Sequence, residues 1–230
     1  MNKDDPNVAR VELVAKALGD SWHEFVLVGG CAAGLLITDP ARPPVRATVD
    51  VDLAVEVSTR ADYYNHVHDQ LVRLGFRETG DVICRWRCGE LIVDVMPTEE
   101  NILGFANIWY GEAVRTAETV ELPSGAKIKI ITAPLFVATK LEAFFGRGEG
   151  NFNESHDVED IVNVIDGRPE WVGEAAEAGE AVRDYLRNEL ESLLLTADFL
   201  DAIPRHLRPD AASQARREII IQRLRAVAGL

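Results

Sequence analysis

Apolar residues at Val8, Val11, Val14 and Leu18 recur at the spacing of one helix face, which predicts an amphipathic helix ahead of the short run from Phe25 to Val28. That run is rich in β-formers and closes on Gly29-Gly30, so it reads as a strand ending in a glycine turn. Small and aliphatic residues over 31–37 predict a second helix, which the prolines of the segment 39–44 must end. Residues 48–57 then alternate, with Val49, Val51, Leu53 and Val55 on one face of a strand and Asp50 and Asp52 on the other. Thr59 suits a helix N-cap, and the helix it opens runs to Leu74, where Gly75 stops it. Two strands follow over 82–87 and 90–96, joined by a tight turn at Cys88-Gly89. A second hairpin pairs 119–122 with 127–131 across Pro-Ser-Gly-Ala. From Thr132-Ala133-Pro134, a good helix start, the pattern is helical only: 135–145, 155–165, about 169–195 and about 210–227. The fold class is α+β: a mixed sheet flanked by helices over residues 1–131, then a helical region over 132–230.

Composition narrows the class without naming a chemistry. An apolar share of 47% and a charged share of 27% over 230 residues are those of an ordinary globular chain with a sizeable core. No stretch approaches the roughly 20 apolar residues of a membrane helix, and the first ten residues lack a signal-peptide core, so the expectation is a cytoplasmic protein with no membrane partner. Cys31, Cys84 and Cys88 form no metal-ligand framework and read as reduced thiols. A net charge of −14 repels polyanions at long range, yet arginines gather in the last thirty residues on what reads as a solvated amphipathic helix.

The candidate chemistry lies in three carboxylates. Two aspartates at i and i+2 on a strand present hard oxygen ligands from one face, which suits Mg²⁺ or Mn²⁺ and leaves coordination positions for substrate phosphates. Asp94 lies in a second strand of buried character, where a lone charge is costly unless paired or metal-bound. Convergence of Asp50, Asp52 and Asp94 would hold metals able to activate an attacking hydroxyl and stabilise leaving pyrophosphate. Gly29-Gly30, between a strand and a helix, lets backbone amides approach a triphosphate. Lys140, on a mostly apolar helix, can reach phosphates or pair with a nearby acid such as Glu142. Asp157 and Asp160 share a helix face below the Ser155 cap, where they can serve the helix N-terminus or a site.

Taken together, Val28-Gly-Gly-Cys-Ala-Ala33, Thr48-Val-Asp-Val-Asp-Leu53, Lys140 in Ala138-Thr-Lys-Leu-Glu142 and Ser155-His-Asp-Val-Glu-Asp160 resemble the nucleotidyltransferase superfamily, in the branch of AbiEii-like toxins and related bacterial proteins. The resemblance covers residues 25–165 and implies a nucleotidyltransferase-type mixed sheet whose active-site cleft the helical region completes. It implies an NTP on Gly29 and Gly30, metals on Asp50 and Asp52 with Asp94 as third carboxylate, and Lys140 with Asp157 or Asp160 finishing the pocket. NMP would pass from the NTP to an acceptor, RNA such as tRNA being favoured over a small molecule; a toxin of this kind would have an antitoxin partner. Two positions depart from the branch: His156 stands before Asp157 where an arginine is usual, and Cys31 follows the glycines where Ser or Thr is common. Two other readings fit paired aspartates, a metal-dependent Asp-x-Asp glycosyltransferase and a catalytically silent nucleotide- or partner-binding module of the same fold.

Remaining motifs point elsewhere. His66 and His68, two apart on a helix, do not share a face, and no His-Glu-x-x-His of a zinc enzyme occurs. The glycines around Arg147, over 146–150, read as an interhelical turn from which Arg147 could reach a phosphate. Trp86, Trp109 and Tyr110 read as core before stacking platforms.

Overall fold

The structure, a computed structural model, describes residues 5–148 and 150–230, so Glu149 of the expected glycine turn lies outside the described residues. It divides into a sheet unit, Asn2–Leu35 with Arg46–Thr132, and a helical unit, Leu36–Val45 with Ala133–Leu230.

In the sheet unit, helix α1 (Pro6–Leu18) starts where Asp5 accepts a hydrogen bond from the Asn7 amide and Pro6 fills the first position, and it buries Val8, Val11, Val14 and Leu18. Seven strands follow: β1 (Phe25–Val28), β2 (Val51–Val55), β3 (Arg77–Glu78), β4 (Arg85–Cys88), β5 (Leu91–Pro97), β6 (Glu118–Glu121) and β7 (Lys127–Ile130). They form one mixed sheet in the order β3-β4-β5-β2-β1-β7-β6. β1 is central, apolar and wholly buried, antiparallel to β2 and parallel to β7. β5 lies parallel to β2 and antiparallel to β4. The edge hairpin β6–β7 keeps the alternation of a half-solvated pair, Ile128 and Ile130 inward and Lys127 and Lys129 outward. Helix α2 (Gly29–Leu36), small and apolar throughout, is buried from Cys31 onward, as an all-round apolar helix must be.

The second strand is shorter than its alternation predicts. Residues 46–50 do not pair with a strand, because α1 claims their backbone groups: Asn7 Nδ2 donates to Arg46 O (2.9 Å), Thr48 N donates to Asn7 Oδ1 (2.9 Å), and Arg10 Nη1 donates to Val49 O (2.7 Å). Val49, expected on the core face, is therefore 66% exposed, and Asp50 stands in a loop instead of on the strand. The turn of the next hairpin also falls one residue later than expected, at Gly89-Glu90, with Cys88 opposite Leu91.

In the helical unit, the helix Ala133–Arg147 packs on His156–Gly167, Trp171–Glu177 and Glu180–Leu194, and the last helix, Arg217–Ala228, packs on the same three. Trp171, Phe136, Leu186 and Ile220 are among its fully buried side chains. The single helix expected over 169–195 is broken at Ala178-Gly179, both extended, and that expected over 210–227 is interrupted at Arg216. Leu36–Val45 belongs to this unit because its polar groups are met there: Thr38 N and Asp39 N donate to Gly167 O (3.0 and 2.9 Å), and Arg168 Nη1 donates to Leu36 O (2.6 Å). At its centre Asp166, fully buried, pairs with buried Arg42 (2.6 Å) and with Arg216 (2.7 Å), whose other nitrogen reaches Asp39 (2.9 Å). No helix among the described residues is long and apolar enough to cross a membrane.

Candidate functional site

Strand register places the carboxylates. Asp52 of β2 and Asp94 of β5 are direct partners in the parallel pair, so both project from one sheet face, and the residue opposite Asp94 in β4 is Arg85. The opposite face of the same strands carries Leu53, Val93, Val95 and Trp86, all fully buried, which anchors the polar row from behind. Arg85 grips Asp94 with a two-pronged fork, Nε to Oδ1 at 2.8 Å and Nη2 to Oδ2 at 2.7 Å. The same Nη2 donates to Asp50 Oδ2 at 2.7 Å. Asp94 is 7% exposed, and its hydrogen bonds to the guanidinium, outweighing burial, raise the affinity of Arg85 for its proton.

The loop that carries Asp50 is fixed from three sides. Beyond the α1 contacts, Thr48 Oγ1 donates to Asp50 O (3.1 Å) and the Cys31 thiol donates to the same carbonyl (3.3 Å). Cys31 thus holds the aspartate loop in place. Burial, reinforced by the nearby Asp52 carboxylate, pushes the Cys31 thiol up to about 12; burial and Asp94 do the same for Cys84. All three cysteines are free thiols. Iodoacetamide at about pH 8 is expected to alkylate half-exposed Cys88 and spare Cys31 and Cys84, whose thiols burial keeps protonated, in the native protein. Peptide mapping with equal labelling at all three would contradict this. Because the unfolded chain loses these protons first, stability is full below about pH 9 and falls as pH rises toward 12.

Asp52 lies against the glycine turn. Gly29 takes φ +63°, and a Cβ added there would stand 1.9 Å from Asp52 Oδ2 and 2.6 Å from Asp52 Cβ. Gly29 is needed both for the left-handed turn into α2 and for the close approach of the carboxylate. Gly30, by contrast, is buried. Gly29→Ala is expected to destabilise the chain by about 3 kcal/mol from backbone strain and overpacking, with part recovered in the Gly29→Ala/Asp52→Ala double variant. An unchanged urea midpoint for the single variant would refute it.

The three aspartates therefore come together differently from expectation. Asp50 and Asp94 converge on one cation, the guanidinium of Arg85, while Asp52 stands beside Asp94 and over Gly29. Among the described residues no group of three or more His, Cys, Asp or Glu side chains is arranged to hold a metal ion. The physical reason is that Asp50 sits off the strand and Arg85 fills the gap between it and Asp94. Two carboxylates nevertheless fit a single Mg²⁺ or Mn²⁺, which is commonly held by one or two carboxylates with substrate phosphates and water completing the shell.

In the helical unit, Lys140 lies between two buried aspartates, Asp160 (2.7 Å) and Asp157 (3.2 Å), and Arg147 pairs with the outer side of Asp157. Its ammonium also lies 5.7 Å from the centre of the Phe136 ring. The partner of Lys140 is thus the aspartate pair; Glu142 instead meets the Tyr185 hydroxyl (3.4 Å). Ser155 caps the helix through Val158 N (3.3 Å). Arg147, His156 and Asp157 border a small cavity of about 120 Å³. His66 is taken by Glu24 (2.9 Å) and His68 packs edge-on against Trp86, which is core. Trp109 and Tyr110 are half-buried, and the Tyr110 hydroxyl donates to Met96 Sδ (3.4 Å).

Arg85 is the site residue that the sequence pattern did not single out. A signal exists: a turn at Gly89-Glu90 sets Arg85 opposite Asp94, whereas a turn one residue earlier sets Ile83 there. Compared with known proteins, the chain matches no family model and no curated protein.

Proposed function

We propose that the sheet unit carries out metal-dependent transfer of a nucleoside monophosphate from an NTP to an acceptor, at Asp50, Asp52 and Asp94. The observation that carries this reading is the convergence of Asp50 and Asp94 on one cation position, with Asp52 in register beside them at the glycine turn. Asp50 and Asp94, with Asp52 adjacent, are the residues that would hold the cation. A bound Mg²⁺ or Mn²⁺ supplies charge neutralisation on the phosphates and a more acidic bound hydroxyl or water.

The chain's own groups account for the rest. The backbone at Gly29, at the start of α2, offers amide donors to phosphate oxygens on the side where Asp52 lies. The acceptor oxygen attacks the α-phosphorus, the bond to the β-phosphate oxygen breaks, and pyrophosphate leaves with that electron pair. The acceptor proton passes to a carboxylate of the site, which the rigid strand pair holds at a fixed place on the sheet face. The acceptor, RNA or small molecule, follows from the resemblance alone.

Pyrophosphate release from each NTP, with Mg²⁺ and either total cellular RNA or a small-metabolite fraction, tests this reading. Release that depends on Asp50 and Asp52 supports it; none with any nucleotide or acceptor fraction rejects it. One observation favours a second reading: the Arg85 fork offsets the charge of Asp94 from within the chain, as a catalytically silent nucleotide-binding fold would need. Nucleotide binding that is indifferent to Asp94→Asn, without turnover, would select that reading.

A further inference from the structure

The guanidinium of Arg85 occupies a position from which both Asp50 and Asp94 are reached, at 2.7 Å from an oxygen of each. We propose that Arg85 is the internal counter-ion of the carboxylate site, which a divalent cation replaces, and that the released guanidinium then pairs with the phosphates of the nucleotide. The inference rests on the nucleotidyl-transfer reading and adds to it a residue that contacts substrate.

Three features lead to it. First, Asp52 and Asp94 on one sheet face and Asp50 in the loop beside it bring three like charges together, and carboxylates withdrawn from solvent in this way repel one another unless a cation lies among them. Arg85 supplies that cation and leaves the group at a net charge of −2; a divalent ion in its place would offset one more charge and leave −1. Second, the attachment is exchangeable. Arg85 rises from β4, the neighbour of β5, and its side chain is 25% exposed, so the guanidinium can turn aside without unpairing the strand, whose hydrogen bonds belong to the backbone. Third, its surroundings suit an anion once the pair is metal-bound. Arg87, two residues on in β4, and Arg77, its direct partner in β3, project from the same sheet face as Arg85. Both line an open cavity of about 440 Å³ with Gly75, Glu78, Thr79 and Gly89, so that two arginines face one carboxylate there. This cluster is basic in a chain of net charge −14.

The exchange has a direct consequence for metal affinity. In the free protein a divalent ion must compete with the fork on Asp94, so its binding without nucleotide is weakened by Arg85. Arg85→Met keeps the length of the side chain and removes the competitor. It is expected to bind Mn²⁺ on the order of tenfold more tightly than the parent without nucleotide. The same variant is expected to bind a non-hydrolysable NTP analogue on the order of tenfold more weakly at saturating Mn²⁺. Arg85→Lys, whose single ammonium cannot fork, should shift both affinities in the same directions by smaller factors.

The experiment is a Mn²⁺ titration of the full chain, read by the electron paramagnetic resonance of free Mn²⁺, for the parent, Arg85→Met, Arg85→Lys and Asp94→Asn. Tighter Mn²⁺ binding in both arginine variants, with loss in Asp94→Asn, supports the exchange. Unchanged or weaker binding in the arginine variants, with loss in Asp94→Asn, overturns it and leaves the carboxylate reading standing. Absence of Mn²⁺ binding in the parent and in both arginine variants overturns the exchange and the metal-dependent reading together. If circular dichroism shows Arg85→Met unfolded, Arg85→Lys decides by the same signs.

Discussion

Asp94→Asn is expected to lower nucleotidyl transfer on the order of 10³-fold while leaving the fold intact. Asparagine keeps the shape of the side chain at a 7% exposed position on β5, and it can still accept a hydrogen bond from Arg85. What it removes is the charge that, with Asp50, draws a divalent cation to the sheet face. The parallel register with Asp52 is carried by backbone bonds and should survive, so circular dichroism and the urea midpoint should change little. Asp50→Asn should give a loss of similar size, since Asp50 supplies the other carboxylate at the cation position. Steady-state pyrophosphate release at saturating NTP checks both. Activity within about threefold of the parent in either variant would remove that carboxylate from the mechanism.

Asp166→Ala is expected to cost about 3–5 kcal/mol of stability, the usual penalty for breaking a buried ion pair on one side. Asp166 is fully buried in the helix His156–Gly167 and holds Arg42 at 2.6 Å and Arg216 at 2.7 Å. Removing it leaves the Arg42 guanidinium buried with Asn163 as its remaining side-chain partner, at 3.1 Å. Burial already pulls Arg42 below the usual arginine range, with Asp166 opposing that pull. Arg216 retains Asp39 and the Asp166 carbonyl, so the loss falls mainly on Arg42. The Arg42→Met/Asp166→Leu double variant, which replaces the pair by apolar groups of similar volume, should recover most of the deficit. Urea unfolding of the three proteins provides the comparison; a single variant within about 1 kcal/mol of the parent, or a double variant no better than the single, would contradict it.

The elements legible in the sequence are those set by local pattern. β1 emerged from four apolar residues before two glycines, and β5 and the β6–β7 hairpin from runs bounded by turn residues, because period and punctuation are properties of neighbours in the chain. Asp50 was misplaced onto a strand for the opposite reason. Its loop is held by Asn7 and Arg10, some forty residues earlier, and no alternation of valines reports that side chains of α1 will take the backbone hydrogen bonds. The join between Leu36–Val45 and the helical unit was hidden likewise, because Arg42 meets Asp166 across more than a hundred residues. The break at Ala178-Gly179 fell where the neighbours' periodicity carried through, since a glycine's effect on an otherwise helical pattern depends on the packing around it.

The site was legible in its residue types more than in its geometry. Asp52 and Asp94 stand out as charges in apolar strands, and register makes them neighbours. Arg85 escaped because it is one of two arginines on its strand of the hairpin, and only the residue at which the turn falls sets it opposite Asp94. Lys140, Asp157 and Asp160 do meet, with the half-buried lysine on two buried aspartates joining two helices of the helical unit.

The fate of the NTP phosphates tests the central claim most directly. Parallel reactions with NTP labelled at the α- or at the γ-phosphorus, with Mg²⁺ and cellular acceptors, should place α-label on the acceptor and γ-label in pyrophosphate, and both should vanish in Asp50→Asn/Asp94→Asn. Label from the γ-position on the acceptor or in inorganic phosphate, or α-label transfer that persists in the double variant, would contradict nucleotidyl transfer at this site.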